Sequence, residues 1–220
     1  MPAPRFEKIK KILSQRQPDL TVLLEGVEKP HNLAAIARTC DAVGIAEIHA
    51  VTSVKGLKLS QKAAGGIRKW LDLVRHPSTD DAFAHFKSRN MQLVVTHLSD
   101  NTIDYKEIDY TKPTVIIAGS EDQGVSDYAV SHADHCIALP MLGMVQSLNV
   151  SVAMSVILYE ALKQRQQAGM YKTKRLPAEE YEQKLFEWSQ PKITQLCKET
   201  RQGYPQLDSD GQLINKDQTE

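Results

Sequence analysis

Three short segments hold most of the side chains able to do chemistry. The first, Lys29-Pro30-His31-Asn32-Leu33-Ala34-Ala35-Ile36-Ala37-Arg38-Thr39, sets one arginine on a helix of small residues. Ala34 and Ala35 stand three and four residues before Arg38, so it has no acid one turn back to pair with. A guanidinium in that setting suits a phosphate, whose oxygens match its fork of donors, although an arginine paired elsewhere or left in solvent fits the same pattern. Asn32 reads as a helix N-cap, with Pro30 ending the strand before it.

The second segment, Gly119-Ser120-Glu121-Asp122-Gln123-Gly124, is a Gly-x-Glu-x-x-Gly turn closing the unalternated apolar run Thr114 to Ala118. Such a run reads as a central buried strand, and ligands of open α/β sheets bind at the carboxyl ends of strands. Acids at this turn do not suit a phosphate cradle. The chain lacks the Lys-Ser/Thr of a P-loop and has no Gly-x-Gly-x-x-Gly after its first strand, so neither a nucleoside triphosphate nor a standard dinucleotide site is indicated. A plain turn capped by Ser126 is the alternative.

The third runs from Leu139 to Ala153, Leu-Pro-Met-Leu-Gly-Met-Val-Gln-Ser-Leu-Asn-Val-Ser-Val-Ala. Pro140 stiffens this loop, Gly143 frees it, and Gln146, Ser147 and Asn149 offer donors and acceptors just before a long apolar helix. Ser147 or Asn149 would also serve as an ordinary N-cap. Strands ending at Thr96, Gly119 and Leu139 would bring three loops to one sheet edge, giving a polar mouth over an apolar floor.

The elements that must position these loops are legible from periodicity. Strands are predicted at Thr21 to Leu24, Glu47 to Val51, Leu71 to Val74, Gln92 to Thr96, Thr114 to Ala118 and Cys136 to Leu139. Helices are predicted at Leu33 to Val43, Asp80 to Lys87, Ser126 to Ala133, Leu148 to Gln167 and Ala178 to Trp188, the last stopped by Pro191. Alternation of the two implies an α/β fold, a mostly parallel sheet with helices on both faces. The helix after Leu148 is apolar nearly all round, with Val152, Ala153, Val156, Ile157 and Ala161 on one side and Val150, Met154 and Leu158 on the other. Something beyond its own sheet should cover it, and a second subunit is the natural candidate.

At 220 residues the chain fits one α/β core, predicted at 21–168, between a basic helical extension, 1–20, and a C-terminal extension, 169–220, basic then acidic. Its 27 basic and 27 acidic residues cancel, so any nucleic-acid affinity must come from where charges sit. Lys8, Lys10, Lys11 and Arg16 form one basic cluster and Lys172, Lys174 and Arg175 lie in another. Three widely spaced cysteines argue against a disulfide framework and for a reducing, cytoplasmic setting. The N-terminus shows no signal-peptide core, and no run approaches the roughly 20 apolar residues of a membrane span. His132, His135 and Cys136 are the nearest approach to a metal cluster, and with no second ligand pair at zinc spacing no metal is expected.

Taken together and in order, Asn-x-x-Ala-x-x-Arg-Thr, Gly-x-Glu-x-x-Gly and Pro-Met-x-Gly-x-x-x-Ser-Leu-Asn-Val-Ser-x-Ala resemble the three motifs of the SPOUT-class SpoU/TrmH family of tRNA ribose 2'-O-methyltransferases. From Asn32 to Ala153 they span more than half of the chain. The Gly-Met-Val-Gln-Ser-Leu-Asn-Val-Ser-Val wording and the later Gln-Ala-Gly-Met-Tyr are most similar to the branch that methylates guanosine 18 of the tRNA D-loop. The resemblance implies a C-terminal deep trefoil knot holding S-adenosylmethionine, a homodimer with the active site completed at the interface, and tRNA as substrate. It implies cofactor contacts at Thr96, Gly119, Leu139, Gly143, Ser147 and Leu148. Arg38 matches the catalytic arginine, with Asn32, Glu121, Ser147 and Asn149 in support. The arginine is usually taken as general base for the ribose hydroxyl, but a guanidinium keeps its proton to a pKa above ~12, so binding the substrate phosphate and stabilising alkoxide charge is an equally good role. The two basic clusters would meet tRNA phosphates.

Other outcomes fit less well. Ribosomal RNA methylators of this family usually carry an added N-terminal domain that about twenty residues cannot hold, and small wobble-position methylators lack the extensions. Another tRNA or rRNA position, a non-catalytic RNA-binding dimer and an unrelated small-molecule enzyme remain as alternatives.

Overall fold

The computed structural model describes residues 3–51, 69–99 and 101–214. The acidic end of the tail, with Asp217 and Glu220, lies outside the described residues. The chain divides into two compact units, Gln17–Met170 and Met1–Arg16 with Tyr171–Glu220. The two extensions read separately from the sequence therefore belong to one unit.

The larger unit is built on a seven-stranded sheet: β1 (Leu20–Glu25), β2 (Glu47–Val51), β3 (Asp72–His76), β4 (Gln92–Thr96), β5 (Ile103–Asp104), β6 (Thr114–Gly119) and β7 (His135–Ala138). Their order across the sheet is β3-β2-β1-β6-β4-β7-β5, and every pairing is parallel. Parallel pairing demands crossovers that cover both faces, which is why β6 is buried along its whole length. Helices α2 (Pro30–Ala42), α3 (Thr79–Ser88) and α4 (Asp127–His132) lie in the connections between strands, and α5 (Val150–Gln167) follows the last strand and packs back on the sheet. One core joins Leu33, Ile36, Ala37 and Cys40 of α2 to Met154, Ile157, Leu158 and Ala161 of α5 over β1 and β6; the other packs Phe83 and Phe86 of α3 and Ala129 of α4 under Leu93, Val95 and Ile117.

Strand positions match the predicted runs at β2 and β4, while β7 begins one residue earlier than expected. The two-residue β5 and the short 3-10 turn after it, Tyr105–Glu107, carry too little periodicity to be seen in sequence. Helix α2 starts before Asn32. Pro30 occupies its first turn, where a missing N–H costs nothing, so Lys29 is the N-cap position and Asn32 is released for another task. Ser126 does cap α4, accepting from the Ala129 N–H, and is itself held by Glu25 at the end of β1. Asn149 caps α5, its Oδ1 accepting from the Ser151 N–H at 2.9 Å.

The far end of α5 is locked by Arg165, 0% exposed. Its Nε donates to the Tyr110 carbonyl, Nη1 to Gln17 Oε1 and Asp19 Oδ1, and Nη2 to the Asp19 and Lys112 carbonyls, at 2.7–3.1 Å. All five guanidinium donors are used, which offsets the cost of burying the charge. At the opposite sheet edge His49, His76 and His85 gather beside Glu47 and Arg89, with His49 Nδ1 2.9 Å from His76 Nε2.

The smaller unit consists of α1 (Ala3–Ser14), α6 (Ala178–Ser189) and α7 (Pro191–Thr200). Phe6, Ile9 and Leu13 of α1 are buried, as are Tyr181, Leu185 and Trp188 of α6. A Cβ on Gly211, where φ is +76°, would stand 2.5 Å from the Phe6 ring, so no other residue fits there. Pro191 stops α6 and also opens α7, a helix the sequence reading missed. Arg16 is a further correction: it is 1% exposed with its guanidinium 5.3 Å from the Trp188 ring, so it is absent from any phosphate-binding surface. Among the described residues no helix is long and apolar enough to cross a membrane.

Candidate active site

The carboxyl ends of β4, β6 and β7 open into a cavity of about 1120 Å³, large for a cofactor-sized ligand. Thr96, Gly119, Leu139, Gly143, Ser147 and Leu148, the six residues expected at the cofactor, all line it. Its floor is apolar, formed by Ala118, Ile137, Ala138, Val150 and Met154; His97, Leu98, Ser99, Thr102, Ile103 and Asp104 make a wall the sequence did not point to. That wall depends on β5, whose Ile103 pairs with Ile137.

Local chemistry explains the shape of each lip. At Gly119 a Cβ would fall 1.9 Å from the Gly124 backbone, and Gly124 itself has φ +68°. The first glycine permits the close approach and the second turns the chain, while the Gly124 N–H donates to the Ser120 carbonyl at 2.9 Å. That tight turn aims Glu121 at α2 and α5. Thr96 Oγ1 donates to the Ile117 carbonyl at 3.1 Å, fixing the end of β4 against β6. Gly143 differs: a Cβ there would meet nothing within 4 Å, so the rest of the chain does not demand a glycine at that place.

Beside the cavity the three motif segments meet in one hydrogen-bonded cluster. Asn32 Nδ2 donates to Glu121 Oε1 at 2.9 Å, and Asn149 Nδ2 donates to the same oxygen at 2.6 Å and to Asn32 Oδ1 at 3.1 Å. Lys29 Nζ donates to Glu121 Oε2. The Lys29 ammonium, then the Asn32 amide, hold the Glu121 carboxyl below its ordinary pKa, and the same contact with Glu121 raises Lys29. Glu121 is thus an ionised acceptor here, and not a proton donor. Sequence reasoning named Asn32, Glu121 and Asn149 but missed Lys29, since nothing local signals a partner 92 residues away.

Arg38 lies two turns along α2 from Asn32, exposed, with no hydrogen bond or ion pair to the described residues. The adjacent Thr39 has its Oγ1 2.9 Å from Ser155 Oγ, so Arg38 stands next to the place where α2 and α5 meet. Ser147 is exposed on the cavity wall and has no hydrogen bond to the described residues.

The matching family models decide the chain's ancestry. The SpoU rRNA methylase family matches residues 19–159, and the C-terminal module described as SpoU, rRNA methylase, C-terminal matches 163–216. The chain belongs to the SpoU methylase family. Among its relatives the tRNA (guanosine(18)-2'-O)-methyltransferase of Escherichia coli is 46% identical over 95% of this chain and 92% of its own length. The enzyme of the same name from Thermus thermophilus is 50% identical over 84% of this chain and 95% of its own. The crystal structure of the Aquifex aeolicus TrmH/SpoU tRNA modifying enzyme superposes with a TM-score of 0.79 at 41% identity, covering 84% of this chain and 94% of that one. A SpoU methyltransferase from Streptomyces viridochromogenes, solved with the cofactor AdoMet, has a TM-score of 0.63 at 28% identity over 70% and 64% of the two chains. The α/β SPOUT fold is thereby established for this SpoU chain, with the cavity at the strand ends where its motifs converge.

Proposed function

We propose that this SpoU-family chain transfers a methyl group from S-adenosylmethionine to the ribose 2'-hydroxyl of guanosine 18 in the tRNA D-loop. The observation that carries the reading is the convergence of all three motif segments, through Asn32, Glu121 and Asn149, beside a cavity at the strand ends. The cavity suits S-adenosylmethionine by its volume, its apolar floor for an adenine and its polar lip, with Thr96, Gly119, Leu139, Gly143, Ser147 and Leu148 as the holding residues. The open space at Gly143 is where a side chain would intrude on such an occupant. Bound there, the cofactor supplies a methyl group on an electron-poor sulfonium.

The chain's own residues then have to place the hydroxyl in line with that methyl group, which is most of the catalytic task. Arg38, without an acid of its own, would bind the phosphate next to the target ribose and stabilise negative charge on the 2'-oxygen as its proton passes to solvent water. Asn32, Glu121 and Asn149 tie the start of α2, the helix that carries Arg38, to the start of α5, which follows Ser147 on the cavity wall. Lys8, Lys10, Lys11, Lys172, Lys174 and Arg175 supply phosphate contacts that position tRNA without reading its sequence.

The chain acts as a homodimer, its active site completed across the interface, in the cytoplasm. Support for the dimer is the exposed apolar stripe Val152, Val156 and Tyr159 on α5, continuous in sequence with exposed Leu142, Met144, Val145 and Leu148. The trefoil knot is supported by chain path. The connection from β4 to β5 has to cross the end of β7, which lies between them in the sheet, and the His97 N–H donates to the Ile137 carbonyl at that crossing, an arrangement compatible with a threaded C-terminal segment. Incubating unmodified tRNA with labelled S-adenosylmethionine and mapping the modified ribose tests activity and position together. Methylation at guanosine 18 is expected; label at another nucleotide, or none, would overturn the assignment.

A further inference from the structure

Lys29 is the residue at the site that no motif of the sequence singled out. It sits at the N-cap position of α2 yet makes no side-chain cap hydrogen bond; its ammonium goes instead to Glu121 Oε2. Oε1 is thereby left to accept from Asn32 and Asn149 together, at 2.9 and 2.6 Å. Division of labour between the two carboxylate oxygens fixes which way both amides face. Asn149 must turn Nδ2 to Glu121, which points its Oδ1 at the Ser151 N–H and hydroxyl, at 2.9 and 2.6 Å, and so caps α5. Asn32 must turn Nδ2 the same way, which leaves its Oδ1 to receive Asn149 at 3.1 Å.

We infer that Lys29 is a positioning residue of the proposed site, holding the Glu121 carboxylate in the orientation in which Asn149 caps α5 and steadies the Ser147-Leu148 wall of the cofactor cavity. This rests on the proposed function for the identity of the cavity's occupant. A protonated Glu121 would become a donor on one oxygen and face amide N–H groups it cannot pair with, so the Asn149 amide would lose its fixed direction. The other charged or titratable groups near this pair are His31, whose charge favours the ionised carboxylate, and Asp122, which acts on Lys29.

The test compares wild type, Lys29→Met and Lys29→Arg as full-length protein. Carboxyl carbon NMR follows Glu121 from pH 3 to 7, assigned with Glu121→Gln, and calorimetry follows S-adenosylhomocysteine binding over the pH range in which each protein stays folded. Expected in Lys29→Met is a Glu121 titration moved upward and, below it, affinity falling by roughly tenfold per pH unit; Lys29→Arg restores both, and the salt dependence of tRNA binding stays as in wild type. An unmoved Glu121 titration overturns the inference. So does a Lys29→Met protein whose cofactor profile is normal while the slope of log affinity for tRNA against log salt falls by about 0.7 to 0.9, the mark of a lost phosphate contact. Wild-type protein that bound no S-adenosylhomocysteine would overturn the cofactor role together with the proposed function, and the NMR titration, which needs no ligand, tells that failure from the others.

Discussion

The two ends of α5 solve opposite problems with polar side chains. At the C-terminal end Arg165 is sealed from solvent, and its five hydrogen bonds go to Gln17, Asp19, Tyr110 and Lys112. At the N-terminal end Asn149 is exposed and shares Glu121 with Asn32 and Lys29 beside an open cavity. Arg38 stands near the meeting of α2 and α5 with no partner among the described residues. A cation that has spent all its donors on the chain can only hold the fold, whereas one with every donor free can bind something else. The helix pair is therefore anchored at the far end of α5, where nothing needs to enter, and carries an unsaturated cation on α2, where something does.

Breaking the anchored end should give the largest effect. Arg165→Met would strand Asp19 and three carbonyls and cost about 3 to 5 kcal/mol of stability, read from urea unfolding, while turnover per folded molecule stays near wild type. A loss below about 1 kcal/mol would mean that water replaces the guanidinium easily and that the anchor is weak. Arg38→Lys should invert the pattern: tRNA binding and thermal midpoint held, turnover down by roughly 100-fold. Near-normal turnover in that variant would remove Arg38 from the chemistry. Asn149→Ala lies between the two, costing about 1 kcal/mol as a lost N-cap together with weaker S-adenosylhomocysteine binding; a purely thermal effect would reduce Asn149 to a cap.

Acid should reveal a third region with the smallest effect. His76 and His85, pushed below their ordinary value of 6.5 chiefly by burial, bind fewer protons folded than unfolded. Their contribution is present above about pH 6.5 and is lost as pH falls through their lowered values. Glu47, held at about 2 by the neighbouring His49 and by Arg89, contributes stability present above 4.5 and lost as pH falls toward 2. Stability should thus decline steadily on acidification below neutrality, with a shallower decline between about pH 7 and 5 in His76→Asn. An unchanged slope in that variant would show that the imidazole cluster at β2, β3 and α3 does not govern it.

Much of this was legible residue by residue. The run from Thr114 to Ala118 announced a central strand because a strand covered on both faces needs no alternation, and Ser126 announced a helix start because its hydroxyl can accept a free N–H. Asn32 misled for the same reason: its type suits a cap, but Pro30 moves the helix start upstream and frees the amide for Glu121. β5 was invisible because two residues have no period, and α7 because Pro191 was read only as a stop. Arg16 looked like a phosphate ligand until the ring of Trp188 and near-complete burial removed it from the surface.

The sequence by itself determined the α/β alternation, the three motif segments and the family they resemble, because periodicity and motif wording are local properties of the chain. Tertiary structure alone decided that Lys29 and Asn149 share one carboxylate, that Arg165 is buried while Arg38 is exposed, and that the six expected cofactor residues line a single cavity. Which donor meets which acceptor depends on distances between residues as much as 153 positions apart, set by sheet order and crossover path. No local pattern of side chains carries that information.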